Sequence, residues 1–348
     1  MRSVVFVAGA RPNFVKIAPL LRAIAPTTIR AELVHTGQHH DRAMSGSFFE
    51  ELGIPAPDRE LRIPGAQTEK IQHAFGEYLD ACTEPPRGVV VVGDVSSTMA
   101  CALAAATRGI AVAHVEAGLR SFDRTMPEET HRIVTDSVSE LLLASEPAAI
   151  ANLAGEGRSD ALLVGNVMID TLVAQLAAAR ALAMAARFEV DDYVVATLHR
   201  PHNVDDPARL ATLLAMLCDL ADDTTVIFPV HPRTRARLRP VPVHPRLVLT
   251  DPLGYREFLG LVDGARGVVT DSGGIQEETT FLGVPCFTLR TSTERPCTIS
   301  LGTNSLVEHV ADVPGMVRAA TRRAPPSLEG WDGHAAERAV VAIVERWG

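Results

Sequence analysis

The chain has 348 residues, of which 47% are hydrophobic and 22% are charged, a balance typical of a globular protein with room for two domains. Its formal net charge of -9 excludes a general nucleic-acid binder, because a phosphate backbone is bound by dense Lys and Arg. The same total is compatible with a phosphorylated small molecule, which needs only a few well-placed cations.

Local composition indicates the cellular compartment of the protein and whether the chain crosses a membrane. The five cysteines show neither metal-ligand nor redox-motif spacing, so we interpret them as small buried hydrophobes in a cytoplasmic protein. The segment Met1–Gly9 is too short for a signal peptide and predicts a first strand. No apolar run approaches the roughly 20 residues that a membrane span needs, so we expect no membrane contact.

In the first half of the chain, short apolar runs alternate with helical patterns. The predicted strands are Val4–Ala8, Ala31–His35, Val89–Val92, Ile110–His114, Leu141–Ala144 and Leu162–Val164. The predicted helices are Phe14–Ile24, Asp41–Leu52, Thr98–Thr107 and Glu128–Ser139. This alternation is typical of a parallel sheet that is covered by helices on both faces.

The alternation starts again after the Ala-rich segment Val167–Ala186, which predicts a helix joining two halves. The predicted strands are Asp192–Leu198, Thr225–Val230, Arg246–Leu249, Gly267–Thr270 and Pro285–Leu289. The predicted helices are Pro207–Ala221, Tyr255–Val262, Gly274–Leu282 and the amphipathic His334–Trp347. We therefore predict an α/β protein with two doubly wound Rossmann-like domains facing a cleft, over residues 1–168 and 169–332. Residues 333–348 are expected to form a helix that packs back on the first domain.

Open parallel sheets bind ligands at the carboxyl ends of their strands, so the residues after each strand are the functional candidates. The first strand is followed by a glycine turn at Gly9 and by the cations Arg11 and Lys16 at a helix start. Such a turn suits an anion, because free N–H groups and the helix dipole point toward it. A plain turn with solvated charges is the structural alternative.

Three acidic residues follow later strands of the first half. Asp94 is either a helix cap or a functional acid. Glu116 comes directly after a buried strand, beside His114 and Arg120, which packing explains poorly and function explains better. Glu128 lies in an ordinary helix start, so its functional interpretation depends on its position near Glu116.

Histidines follow two strands of the second half. Pro201 separates His199 from His202, which argues against one shared helical face, and no third metal ligand is obvious. A titrating or phosphate-facing histidine is therefore favoured over a metal ligand. The same interpretation holds for His231, which precedes Arg233 by two residues.

A glycine-rich turn in the second half has the most specific local pattern. Gly273 and Gly274 let the backbone approach a ligand, and Ser272 with free N–H groups can hold a diphosphate. A turn with a serine cap is the alternative. Glu278, one helical turn later, is placed to accept hydrogen bonds from ribose hydroxyls. Arg295 adds a cation in a later loop, where a solvated arginine is an equally good interpretation.

In their order along the chain, these segments together resemble the non-hydrolysing UDP-N-acetylglucosamine 2-epimerases. The segments are Gly9–Lys16, Gly93–Asp94, His114–Arg120, Pro127–Arg132, Thr197–Asn203, His231–Arg233, Ser272–Glu278 and Glu294–Pro296. The resemblance covers nearly the whole chain. It implies a homodimer with the two-domain fold of GT-B glycosyltransferases and UDP held between the domains. It also implies reversible conversion of UDP-N-acetylglucosamine to UDP-N-acetylmannosamine without a metal or a nicotinamide cofactor, through elimination of UDP to a 2-acetamidoglucal and its re-addition.

The resemblance also implies roles for individual residues. Chemistry is implied at Asp94, Glu116, Glu128 and His199. Contacts with the UDP-sugar are implied at Arg11, Lys16, His231, Ser272, Gly273, Gly274, Glu278 and Arg295. Cations at these positions would stabilise UDP as it leaves, and carboxylates would move the ring proton. Which carboxylate removes that proton is left open.

Departures from the family pattern concern two places. His202 stands where the family often has Glu. Many bacterial members bind a second UDP-N-acetylglucosamine as an activator, but here Asp41 replaces a Gln and Ala66 replaces an Arg before Gln67 and Thr68. An acid repels a diphosphate, so we expect this activator site to be absent or altered.

Three alternatives to the epimerase are kept open. They are a hydrolysing epimerase that releases N-acetylmannosamine and UDP, a GT-B glycosyltransferase, and a sugar-nucleotide sensor without turnover. The carboxylates Asp94, Glu116 and Glu128 favour the epimerase, because neither a transferase nor a sensor needs three acids there.

Overall fold

The computed structural model describes residues 3–38, 48–238 and 244–348, and the chain divides into two compact units. The first comprises Met1–Ala174 with Leu328–Gly348, and the second comprises Gln175–Ser327. Both boundaries differ slightly from the predicted 168/169 and 332/333. The helix Val167–Ala181 begins in the first unit because the Thr171 hydroxyl donates to the Val15 carbonyl oxygen at 2.6 Å.

The first unit is built on a seven-stranded parallel sheet with the order β3-β2-β1-β4-β5-β6-β7. The strands are β1 (Ser3–Ala8), β2 (Arg30–His35), β3 (Arg59–Glu60), β4 (Gly88–Val92), β5 (Ala111–Ala117), β6 (Leu141–Ala144) and β7 (Leu162–Leu163). Its helices include Arg11–Ile24, Thr68–Asp80, Ser96–Ala106, Pro127–Val138, Pro147–Gly155 and Ala335–Trp347. Every residue of β4 is buried, which agrees with a sheet covered on both faces.

The second unit is built on a six-stranded parallel sheet with the order β10-β9-β8-β11-β12-β13. The strands are β8 (Tyr193–Thr197), β9 (Thr225–Pro229), β10 (Leu247–Thr250), β11 (Gly267–Thr270), β12 (Cys286–Thr288) and β13 (Asn304–Leu306). Its helices include Met184–Arg187, Pro201–Val204, Pro207–Ala221, Pro232–Arg235, Tyr255–Gly264, Gly273–Leu282, Pro296–Ser300 and Val313–Ala319. The prediction of two doubly wound Rossmann-like domains is confirmed.

Some local predictions differ from the structure. The joining helix was predicted to continue to Ala186, which is wrong, because Ala183 adopts a left-handed conformation with φ of 45° and ends it. The helix Thr68–Asp80 and the strand β13 were not predicted. The predicted helix start at Asp41 lies outside the described residues, and residues 48–52 are helical.

The C-terminal helix Ala335–Trp347 belongs to the first unit and packs against the helix Arg11–Ile24. Its start is held by Asp170, whose carboxylate accepts from the backbone N–H of Ala336 at 2.6 Å. The Trp347 ring lies so close to β4 that a Cβ at Gly88 would be 2.5 Å from it. Among the described residues, no helix is both long and apolar enough to cross a bilayer.

The strand order places the candidate segments together. In the first sheet β1 lies beside β4, and in the second β8 lies beside β11, so that each pair flanks the point where the strand order reverses. Open α/β sheets bind ligands at the carboxyl ends of strands at this reversal. Each unit therefore presents one candidate binding region, formed by the loops that follow these four strands.

Candidate active site

The turn after β1 is closed by a side chain that sequence reasoning did not single out. The Asn13 side-chain oxygen accepts hydrogen bonds from the backbone N–H groups of Gly9 at 3.1 Å and Ala10 at 3.0 Å. Its amide nitrogen donates to the Val92 carbonyl oxygen at the end of β4 at 2.9 Å. Asn13 therefore satisfies the N–H groups of Gly9 and Ala10, so these two groups are not available to an anion.

The two cations of this helix start have different surroundings. The Lys16 Nζ lies 2.6 Å from a Glu116 carboxylate oxygen, and both side chains are at most 4% exposed. The same amine lies against the next strand end, since a Cβ at Gly93 would be 2.7 Å from it. Solvated charge is therefore the wrong interpretation of Lys16. The Arg11 guanidinium is partly buried and lies 5.2 Å from the centre of the Phe48 ring.

Glu116 has a strained backbone within β5. Its φ is 74°, in the left-handed region, and the pairing of β5 with β6 shifts register between Val115 and Ala117. A bulge of this kind redirects a side chain, and strained non-glycine residues collect at functional sites. The Lys16–Glu116 pair joins the ends of β1 and β5 beside the end of β4.

Asp94 is bound to an arginine and does not cap the following helix. Val95 occupies the N-cap position of Ser96–Ala106, so the capping interpretation of Asp94 is wrong. Its carboxylate lies 2.5 Å from Nη1 of Arg132, a buried side chain of the helix Pro127–Val138. The His131 Nδ1 lies 2.8 Å from the Asp94 carbonyl oxygen, which fixes the same loop from a second side.

Glu129 is a site residue that sequence reasoning missed. Its carboxylate lies 2.6 Å from Arg132 Nη2 and accepts hydrogen bonds from Ser121 and from the Phe122 backbone N–H. Burial acts to raise the pKa of Glu129, but the bonds from Arg132 and Ser121 outweigh it and the pKa is lowered. The i, i+3 spacing to Arg132 was the available signal. Its neighbour Glu128 is partly exposed in the same first turn.

In the second unit, His199 is oriented by a buried aspartate. The His199 Nδ1 lies 2.9 Å from a carboxylate oxygen of Asp271, which also accepts from the backbone N–H of Arg200 at 2.9 Å. Burial acts to raise the pKa of Asp271, but His199 and these N–H groups outweigh it and lower the pKa to about 2. The ionised Asp271 carboxylate fixes the orientation of the His199 ring through its contact with Nδ1.

The two other candidate histidines of the second unit, His231 and His202, have different surroundings. The rings of His199 and His231 lie 5.7 Å apart between centroids, and His231 accepts from the backbone N–H of Arg233 at 3.2 Å. His202 is exposed on the short helix Pro201–Val204. Across the described ranges, no three His, Cys, Asp or Glu side chains are grouped to hold a metal ion.

The glycine-rich turn after β11 leads directly into the helix Gly273–Leu282. Ser272 takes the N-cap position, and in the described part of the chain its side chain makes no cap bond to that helix. Arg295 lies against this turn, because a Cβ at Gly273 would be 2.8 Å from its Nη1. Arg295 is 3% exposed and pairs with Glu294 and with Glu277, whose carboxylate lies 2.8 Å from Nε. A solvated arginine is therefore the wrong interpretation.

Glu278 is a fully buried carboxyl group. The Tyr255 hydroxyl, itself buried, donates to it at 3.0 Å. Burial raises the pKa of Glu278 to about 7, and the hydrogen bond from Tyr255 opposes this shift only in part. Tyr255 was predicted as a helix residue without a functional role.

Comparison with known proteins supports one family over nearly the whole chain. The family model for UDP-N-acetylglucosamine 2-epimerase matches residues 22–344. The chain is 40% identical to UDP-N-acetylglucosamine 2-epimerase of Methanocaldococcus jannaschii over 321 residues, or 86% of this chain and 87% of that protein. It is 41% identical to UDP-2,3-diacetamido-2,3-dideoxy-D-glucuronate 2-epimerase of Pseudomonas aeruginosa over 315 residues, or 88% of each chain.

Solved structures agree with these relatives. The crystal structure of the Methanocaldococcus jannaschii UDP-GlcNAc 2-epimerase with UDP-GlcNAc and UDP matches with a TM-score of 0.90 and 37% identity, over 99% of this chain and 100% of that one. A spinosyn rhamnosyltransferase at 15% identity and a TM-score of 0.54 shares the fold alone, which is consistent with a GT-B-like architecture. Fold and relatives together define the class of protein, a nucleotide-sugar epimerase and hence an isomerase. The chain belongs to the UDP-N-acetylglucosamine 2-epimerase family, as its motifs predicted.

Proposed function

We propose that the protein interconverts UDP-N-acetylglucosamine and UDP-N-acetylmannosamine by eliminating UDP and adding it back. The observation that carries this proposal is the paired set of strand-end carboxylates in the first unit. Glu116 lies 2.6 Å from Lys16, and Asp94 lies 2.5 Å from Arg132. A cation at this distance stabilises the ionised carboxylate, which is the form that accepts a proton.

In the elimination, a carboxylate takes the proton from carbon 2 while the bond from carbon 1 to the UDP oxygen breaks. The electron pair of the carbon–hydrogen bond forms the double bond of 2-acetamidoglucal, and UDP departs as an anion. In the reverse addition UDP bonds to carbon 1, and a proton is delivered to the opposite face of carbon 2. We assign these proton transfers to Asp94, Glu116 and Glu128, because transfer to opposite faces needs more than one group.

Residues of the second unit are proposed to hold UDP. The helix N-terminus at Ser272, Gly273 and Gly274 suits the diphosphate, and the adjacent Arg295 adds positive charge. His199, which Asp271 orients, and the neighbouring His231 supply further positive or hydrogen-bonding groups for the leaving anion. From the first unit, Arg11 and Lys16 are proposed as further cations for the same anion. Glu278 is proposed to accept hydrogen bonds from the ribose hydroxyls.

A second substrate is favoured by one specific finding. The Pseudomonas aeruginosa relative at 41% identity is named for a UDP-sugar with a second acetamido group and a carboxylate. Because this identity is close to the 40% shared with the Methanocaldococcus jannaschii UDP-N-acetylglucosamine enzyme, a 2,3-diacetamido uronate is the second candidate substrate. Elimination at carbons 1 and 2 follows the same course for either sugar.

The experiment that tests the proposal is an NMR assay in deuterated water over a panel of UDP-sugars. The expected result is deuterium at carbon 2 of the nucleotide sugar, with both epimers present. Free N-acetylmannosamine as the sole sugar product would replace the proposal by a hydrolysing enzyme. Turnover only after addition of an acceptor would indicate a glycosyltransferase, and no exchange at all a sensor.

We further propose that the family's activator site is altered here and that the protein is a cytoplasmic homodimer. Ala66 is exposed and precedes Gln67, the N-cap of the helix Thr68–Asp80, while Asp41 lies outside the described residues. In a kinetic assay with UDP-N-acetylmannosamine as the substrate, we expect full turnover without added UDP-N-acetylglucosamine. An initial lag that disappears on addition of UDP-N-acetylglucosamine would contradict the altered activator site.

The proposed homodimer is tested by light scattering, which measures the molar mass of the protein in solution.

A further inference from the structure

A histidine that the proposed chemistry does not use lies directly behind the Gly93–Asp94 turn. His114, in β5, is 0% exposed. Its Nε2 lies 2.9 Å from the Gly93 carbonyl oxygen, and its Nδ1 lies 2.6 Å from a carboxylate oxygen of Asp136. Both ring nitrogens therefore face oxygen acceptors at hydrogen-bond distance.

The chemistry of these two partners decides where the ring protons lie. The Gly93 carbonyl oxygen has no proton, so Nε2 must donate to it. The other oxygen of Asp136 accepts from the Gly118 backbone N–H at 3.1 Å and lies 2.7 Å from Arg120 Nη2. These donors stabilise Asp136 as a carboxylate, so Nδ1 must also carry a proton.

The acidity of Asp136 agrees with this arrangement. Burial acts to raise the pKa of Asp136, but His114 and Arg120 outweigh burial and the pKa is lowered. A carboxyl group in this state does not supply the proton between Asp136 and His114. Arg120 and the Gly118 backbone N–H favour the ionised carboxylate independently of the histidine, which places the proton on the ring.

We propose that His114 is protonated at both ring nitrogens and is a positioning residue, which holds the Gly93 carbonyl and places a positive charge behind Asp94 and Glu116. The inference about charge depends only on the first unit. Its consequence for turnover rests on the proposed function of Asp94 and Glu116.

The charges around the ring balance with this assignment. Arg120 also pairs with Glu156 at 2.7 Å, so His114, Arg120, Asp136 and Glu156 form a neutral set of two cations and two anions. The other charged or titratable groups near the ring or the Gly93 turn are Arg158, His131, Arg132, Asp94, Lys16 and Glu116. On the Gly93 side Lys16 pairs with Glu116, and Arg132 pairs with both Asp94 and Glu129, while Arg158 pairs with Asp160.

The bond to Gly93 links this charge to the proposed catalytic loop. Gly93 has φ of 68°, and Asp94 follows it directly. Loss of the Nε2 donor would leave the buried Gly93 carbonyl without its partner and let the turn relax, which displaces Asp94. A displaced acid slows proton transfer and leaves UDP binding in the second unit unaffected, so kcat should fall while KM stays nearly constant.

The test of the charge is NMR of the whole protein with 15N-labelled histidine. Both ring nitrogens of His114, assigned from the signals missing in His114→Gln, should show the shift of protonated nitrogens at about pH 7. A shift of a bare ring nitrogen for His114 would overturn the proposal. If His114→Gln does not fold, neutron diffraction of the wild-type protein locates both ring protons directly.

The positioning role is tested by kinetics with Asp136→Asn and a matched control. Asp136→Asn should produce a bare nitrogen in His114 and lower kcat by about tenfold or more, with KM within about twofold. The control His73→Gln removes an exposed histidine of the helix Thr68–Asp80 and should leave kcat unchanged. An unchanged kcat in Asp136→Asn would overturn the role. Absence of deuterium exchange in the wild-type enzyme, with both His114 nitrogens protonated, would refute the proposed function and leave the charge assignment intact.

Discussion

Acids of the two units differ in the partners of their carboxyl groups. In the first unit Glu116 lies 2.6 Å from Lys16, and Asp94 lies 2.5 Å from Arg132. In the second unit Glu278 has the neutral Tyr255 as its hydrogen-bond donor, and its pKa is raised to about 7. An adjacent cation favours the ionised form of a carboxylate, whereas burial beside a neutral donor favours the protonated form. The second unit also holds the ion-paired acids Asp271, Glu277 and Glu294, so the contrast is between Glu278 and the paired acids and not between the two units as wholes.

The largest effect should come from Glu116. We expect Glu116→Gln to lower kcat by about a thousandfold and to abolish deuterium exchange at carbon 2, since the amide cannot accept the proton. UDP affinity, measured by calorimetry, should change much less than kcat, because Ser272, Gly273, Gly274 and Arg295 of the second unit keep their proposed contacts with the diphosphate. A large loss of UDP affinity with kcat retained would contradict the assignment of Glu116 to proton transfer and would make it a UDP-binding residue.

A methyl group at the diphosphate turn should produce the next largest effect. In Gly273→Ala the new Cβ would lie 2.8 Å from both Glu294 and Arg295, so this pair must shift away from the helix start. We expect UDP affinity to fall by about tenfold or more, measured by calorimetry. Gly315→Ala, at a helix position with nothing within 4 Å of the added Cβ, is the matched control. Equal affinities in the two variants would remove the turn from the proposed UDP site.

The Asp271–His199 pair allows the role of an ion pair to be tested in the second unit. Asp271→Asn should lower kcat by about tenfold or more, because His199 loses the carboxylate that orients its Nδ1. If kcat of the variant matches that of the wild-type enzyme, the function of His199 does not depend on Asp271.

The smallest effect concerns the pH dependence of stability. The pKa of Glu278 is raised from 4.5 to about 7 in the folded protein, so the folded state holds more protons than the unfolded chain between these values. The free energy of unfolding should therefore decline as the pH rises through this window. Denaturant titrations of Glu278→Gln should lack this part of the decline, and Glu337→Gln, on the exposed side of the C-terminal helix, should retain it. An identical slope in Glu278→Gln would contradict the raised pKa.

Which local features were predictable depended on the range of the interactions that create them. Apolar runs predicted β1, β4, β8 and β11, because burial on both faces is a property of consecutive residues. The break at Ala183 was missed, since no Gly or Pro marks it. Glu129 was missed because Pro127-Glu128-Glu129 is equally well explained as a helix start.

The order of strands, strand-end residues and motifs along the chain was sufficient by itself to determine the fold class and the family. The tertiary structure alone decided the partners: Lys16 with Glu116, His114 with Asp136, and Arg295 with Glu277. Each pair joins different elements. Lys16 in the helix Arg11–Ile24 meets Glu116 in β5, and His114 in β5 meets Asp136 in the helix Pro127–Val138. Arg295 meets Glu277 in the helix Gly273–Leu282. Whether a charge is solvated, paired or buried is a property of the folded surroundings, because it depends on distance and desolvation in space.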